Sequence, residues 1–201
     1  MKTALRSVLI SLALMPGAAL AHTGAGHTDG FVHGFLHPIG GLDHLLAMIA
    51  VGMFAAYLGS RALWLVPVTF VGVMALGGLL GVSGVSLPYV ELGIALSVVV
   101  LGLLVALRWN FPVAAAMAIV AVFSVFHGYA HGTELPENAS GLGYGIGFMI
   151  ATALLHLAGI AIGLGVAALG TGSFGRRIVQ AGGGAIALAG VVIAAQAVTS
   201  F

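Results

Sequence analysis

The chain has 201 residues, of which 6 are Lys or Arg and 5 are Asp or Glu, whereas 61% are hydrophobic. A soluble domain carries about a quarter charged residues, so a water-exposed globular surface is excluded, and a mean hydropathy of +1.20 belongs to a polytopic membrane protein. A net charge of +1 leaves no basic patch for nucleic acid, and zero cysteines exclude disulfides, thiolate metal sites and cysteine nucleophiles.

The chain opens like a secretory signal. Lys2 and Arg6 form a short basic region, Val8 to Leu14 an apolar run, and Pro16-Gly17 ends it before Ala19-Leu20-Ala21, a small-x-small cleavage pattern. The run is shorter than the roughly 20 residues needed to span a bilayer. Residues 1–21 are therefore expected to be removed, which leaves His22 as the new terminus, facing outward. The alternative is a retained anchoring helix. His22, His27, Asp29 and His33 follow as a polar junction, with a metal-gathering arm as the other reading.

Six apolar stretches come next, near residues 38–59, 62–81, 88–107, 111–131, 142–169 and 178–199. Each is long enough to cross about 30 Å of hydrocarbon at 1.5 Å per residue. The expected fold is thus an all-α integral membrane protein, a bundle of six transmembrane helices after a cleavable signal peptide. Residues 22–201 form one domain. Glycines at small-xxx-small spacing, such as Gly143 and Gly147, suit close helix packing in lipid.

Orientation follows from arginine. Arg61, Arg108, Arg176 and Arg177 are the basic residues beyond the signal, and all fall after helices 1, 3 and 5. The other connections contain none, and one of them carries Glu134 and Glu137. By the positive-inside rule both termini face outward, which in a bacterial cytoplasmic (inner) membrane of a Gram-negative host means the periplasm.

That orientation places three polar clusters at the outer end: His37 with Asp43 and His44, Glu91 at the start of the third helix, and His127, His131 and Glu134 at the end of the fourth. Ionisable groups in a membrane are costly and mark a pathway or site. His127 and His131 are i, i+4 and share a helical face, which Glu134 continues if the helix persists past Gly132. On a regular helix His37 and His44 would stand about 10 Å apart along the axis. Pro38 and Gly40-Gly41 suggest an unwound entrance that brings them together. Imidazole and carboxylate without thiolate suit a borderline divalent cation such as nickel, cobalt or zinc. Glu91 also reads as an ordinary first-turn acid favoured by the helix dipole. His156 reads equally as a core histidine or, with Met149 seven residues before it, as a later contact on an inward path. Glu137 is read as a loop residue.

His37-Pro38-Ile39-Gly40-Gly41-Leu42-Asp43-His44 resembles the H-P-x-x-G-x-D-H signature of the HupE/UreJ family, and Phe126-His127-Gly128-Tyr129-Ala130-His131-Gly132-Thr133-Glu134 resembles its second signature, F-H-G-x-A-H-G-x-E. The His-x5-Asp-His spacing differs from the His-x4-Asp-His of the larger nickel/cobalt transporter family. The resemblance covers essentially the whole chain. It implies a secondary permease for Ni²⁺ or Co²⁺, associated with hydrogenase or urease maturation, in which His37, Asp43, His44, Glu91, His131 and Glu134 take part in transport. The expected partners are the divalent ion and membrane lipid, with no prosthetic group. No Walker-type motif is present. Two rivals use the same donors: an intramembrane zinc hydrolase with Glu134 or Glu91 as base, and a metal-binding or sensor protein that moves no ion.

Overall fold

The computed structural model describes residues 30–135, 141–168 and 173–199. Residues 1–21, expected to be a signal sequence, and His22, His27, Asp29 and Glu137 lie outside these. The described residues form seven helices: α1 Gly30–Gly40, α2 Leu42–Leu58, α3 Ala62–Val82, α4 Val90–Leu107, α5 Val113–Thr133, α6 Gly141–Ala168 and α7 Ser173–Thr199. Helices α3 to α7 are each long and apolar enough to cross a membrane, and the chain is a multi-pass membrane protein.

The first expected span is not one helix. A helix begins eight residues earlier than the apolar pattern at 38–59 suggested, and α1 and α2 meet at 79°. Pro38 stays inside α1, and the turn falls at Gly41, which is extended (φ −88, ψ 119). Helical bonding resumes at once, since the Leu45 N–H donates to the Gly41 carbonyl at 2.9 Å. Gly41 is needed there for space: a β-carbon on it would lie 2.9 Å from Asp43 Oδ1 and 3.3 Å from His44 Nδ1. His33, read as part of a polar junction, instead sits on α1.

Smaller differences follow from local geometry. Helix α4 begins at Val90 rather than 88, because Tyr89 is left-handed (φ 58). Helix α5 runs on to Thr133, so Glu134 is its C-cap and its N–H donates to the Ala130 carbonyl at 3.1 Å. Helix α7 starts five residues before the expected 178, which puts Arg176 and Arg177 inside its first two turns. The dipole disfavours cations there, but long basic side chains reach polar headgroups from a helix end.

Helix α2 is the centre of the bundle and touches every other described helix; around it α3 pairs with α5, α4 with α7, and both α1 and α2 with α6. Without a hydrophobic drive between helices in lipid, such pairs depend on close backbone approach. Gly128 and Gly132 of α5 lie against the backbone of Met74 and Gly78 on α3, where a β-carbon would collide with carbonyl oxygens. Gly147 lies in the same way against the Phe31 carbonyl of α1, so this glycine joins α6 to α1.

The arginine-bearing segments meet at one end. Arg108 lies over the Tyr57 ring at 4.5 Å, and the Tyr57 hydroxyl donates to the Arg108 carbonyl, which joins the α2–α3 and α4–α5 connections. Gln180, early in α7, donates to the Ala106 carbonyl at 3.1 Å. The start of α2, the start of α4 and the end of α5, which carry the histidines and carboxylates, lie at the opposite end of their helices.

Candidate metal pathway

The 79° bend at Gly41 lets one short stretch of sequence supply donors from two directions. His37 comes in along α1, which lies on α6, and Asp43 and His44 come from the first turn of α2. The last turns of α5 bring His127 and His131 to the same place.

His37, His131 and Glu134 each present a ligand atom within 4.8 Å of the other two. His37 is half-buried, His131 is 5% exposed and Glu134 is exposed, so the trio spans the boundary between water and protein. The His37 and His131 rings are 4.7 Å apart, and the Phe148 ring packs 4.1 Å from His131. The i+7 placement of Glu134 is realised because α5 continues to Thr133.

Asp43 and His44 adjoin this trio through His131. Asp43 Oδ1 accepts from the His44 backbone N–H at 2.7 Å and lies 2.8 Å from His44 Nδ1. A carboxylate only accepts, so His44 Nδ1 carries a proton, and in the neutral ring Nε2 holds a lone pair. His131 Nε2 is 2.6 Å from His44 Nε2 and, with His44 neutral, is the donor. His131 Nδ1 is left with its lone pair and no hydrogen-bond partner among the described residues. Asp43 and His44, expected as the first ligands for an incoming ion, are here bonded to one another and to His131. They orient His131 in the manner of the outer partners of metal-binding histidines.

A similar argument applies to His127, which is fully buried with its ring 4.6 Å from His44. Ser97 on α4 donates its hydroxyl to the Ile94 carbonyl at 2.6 Å, and its oxygen is 2.8 Å from His127 Nε2. A hydroxyl has one proton to give, so His127 Nε2–H is the donor, and its Nδ1 keeps a lone pair without a partner. Both nitrogens of His156, also fully buried, lack partners among the described residues as well. An unsatisfied buried polar group costs on the order of 1–3 kcal/mol.

Glu91 stays exposed in the first turn of α4, close enough to Asp43, His44 and Glu134 for their charges to act on it. It is not one of the trio. Met149 is part-buried and, with Met74, His131, Tyr144 and Phe148, lines a cavity of about 450 Å³ between α3, α5 and α6. His33 is exposed, with its ring 6.0 Å from His37 and 5.7 Å from Tyr144. Sequence reasoning passed over Ser97, although it is the single hydroxyl in a span of mean hydropathy 2.6 and a lone hydroxyl there needs a partner. Tyr144 and Phe148 look like any apolar helix residues until packed.

Residues 10–193 match the family described as HupE / UreJ protein. The chain is 47% identical over 187 residues to the protein HupE of Rhizobium leguminosarum bv. viciae, covering 93% of this chain and 95% of that one. No solved structure matches. Both motif-bearing segments lie within the matched residues, and this multi-pass membrane protein belongs to the HupE/UreJ family.

Proposed function

We propose that this protein is a secondary permease that imports Ni²⁺ or Co²⁺ across the bacterial cytoplasmic membrane and supplies hydrogenase or urease maturation. The observation that carries the reading is the trio of His37, His131 and Glu134, which begins at the water-facing end of the bundle and leads to buried imidazoles. Nitrogen and oxygen donors without sulfur at this end suit a borderline divalent ion. Glu134 and His37, the more exposed members, meet the hydrated ion first. His131 Nδ1, aligned through His44 and Asp43, replaces further water. Three protein ligands leave the ion incompletely coordinated, as suits a cargo that must be released. The Asp43 and Glu134 carboxylates offset the double positive charge.

In this proposal the ion is substrate, no prosthetic group takes part, and both termini face the periplasm. The reading is tested with purified protein in sealed proteoliposomes offered Ni²⁺, Co²⁺ and Zn²⁺ together. Accumulation of Ni²⁺ or Co²⁺ inside supports a permease. Binding without accumulation identifies a sensor or storage protein. Metal-dependent cleavage of ester or peptide probes by the same vesicles identifies a hydrolase.

A further inference from the structure

The histidines form a file that continues past the trio. Ring-to-ring spacing runs 6.0 Å from His33 to His37, 4.7 Å to His131, 4.4 Å to His44 and 4.6 Å to His127. The Phe70 ring lies 5.6 Å from His127 and 5.2 Å from His156. Exposure falls along the file from exposed His33, through His37, to 0% at both His127 and His156.

His156 is far from the mouth. Its backbone carbonyl faces Gly52 of α2, ten residues beyond Leu42 and therefore ~15 Å down that helix. A histidine kept for packing satisfies at least one nitrogen, yet neither of its nitrogens has a partner among the described residues. His127 offers the matching feature, since Ser97 holds its Nε2–H and its Nδ1 lone pair has no partner among the described residues. Other donors are near. Thr152, one turn before His156 on α6, lies with its hydroxyl 4.0 Å from the Met74 sulfur, and Met74 stands one turn beyond Phe70 on α3.

We propose that His127 and His156, both packed against Phe70, form a second, inner coordination station that receives the divalent cation after it leaves the His37–His131–Glu134 trio. Thr152 and Met74 are the adjoining hydroxyl and thioether donors. The inner station differs from the outer one in holding no carboxylate among these residues. A doubly charged ion is therefore held more weakly there than outside and passes on rather than accumulating. Ser97 is a positioning residue: it turns the His127 lone pair away from α4.

This inference rests on the permease reading, and the experiment separates the two. His156→Phe, matched to the apolar surroundings, and His156→Gln, which keeps a polar side chain, are compared with wild type in proteoliposomes. Co²⁺ uptake per inserted molecule is measured beside equilibrium Co²⁺ binding at the outer face. Wild type should accumulate Co²⁺. Both variants should lose ten-fold or more in flux, while outer binding stays within two-fold of wild type. Variants that transport normally overturn the inner station and leave the permease standing. Loss of flux together with outer binding, or loss of inserted protein in both variants, makes His156 a structural group and also overturns it. Absence of flux in wild type overturns both readings.

Discussion

His44 and His131, 87 residues apart in sequence, face one another Nε2 to Nε2 at 2.6 Å, and this pairing couples the two motifs of the chain into one hydrogen-bonded unit. With His44 neutral, Asp43 fixes the proton on His44, His44 fixes the proton on His131, and the remaining His131 nitrogen has no hydrogen-bond partner among the described residues.

Removing the charge at the head of this unit should therefore act at a distance. Asp43→Asn offers an amide that donates or accepts, so His44 loses its obligatory acceptor and His131 its fixed tautomer. Metal uptake per inserted molecule should fall ten-fold or more with little change in protein abundance. His131→Gln and Glu134→Gln should do the same by removing ligands directly. Glu137→Gln serves as the control and should transport nearly as wild type. Normal uptake by both Asp43→Asn and His131→Gln would end the case for this pathway.

Protons and metal compete for the same imidazole lone pairs. Lowering the outside pH should progressively protonate the outer imidazoles and reduce uptake. Once a single ligand titrates, the initial rate at limiting metal should fall by up to about ten-fold for each further pH unit. The profile should be measured with the internal pH clamped. A rate that rises as the outside pH falls would overturn capture by imidazoles.

Close approach of α3 and α5 places His127 and His131, so a methyl group between the helices should loosen both. Gly128→Ala drives a β-carbon into the Met74 carbonyl, and overpacking of this kind costs about 1–3 kcal/mol. The thermal midpoint in detergent should fall. Gly145→Ala, where a β-carbon meets nothing within 4 Å, should leave it unchanged.

Opposite ends of the bundle carry arginine and histidine, which gives the topology a direct test. A reporter active only outside the cytoplasm should work when fused after Phe201 and fail when inserted beside Arg108. The reverse pattern would place the histidine mouth on the cytoplasmic side and turn import into export.

Hydropathy and charge are local properties of a chain in lipid, and for that reason much was legible in the sequence by itself. Apolar run lengths specify the spans α3 to α6 to within a few residues, arginine placement groups the connections, and the i, i+4 spacing of His127 and His131 puts both on one face of α5. The two motifs identify the family. The bend at Gly41 was only half legible: Pro38 and the glycine pair signal a break, but its position and 79° angle depend on α1 lying against α6 through Gly34 and Gly147. Only the tertiary structure decided that His44, held by Asp43, meets His131, that Ser97 meets His127, and that Phe70 packs against both His127 and His156. Those relationships join different helices. Their register is set by backbone-to-backbone contact at glycines such as Gly52 and Gly132, and no periodicity within a single helix records which glycine meets which carbonyl.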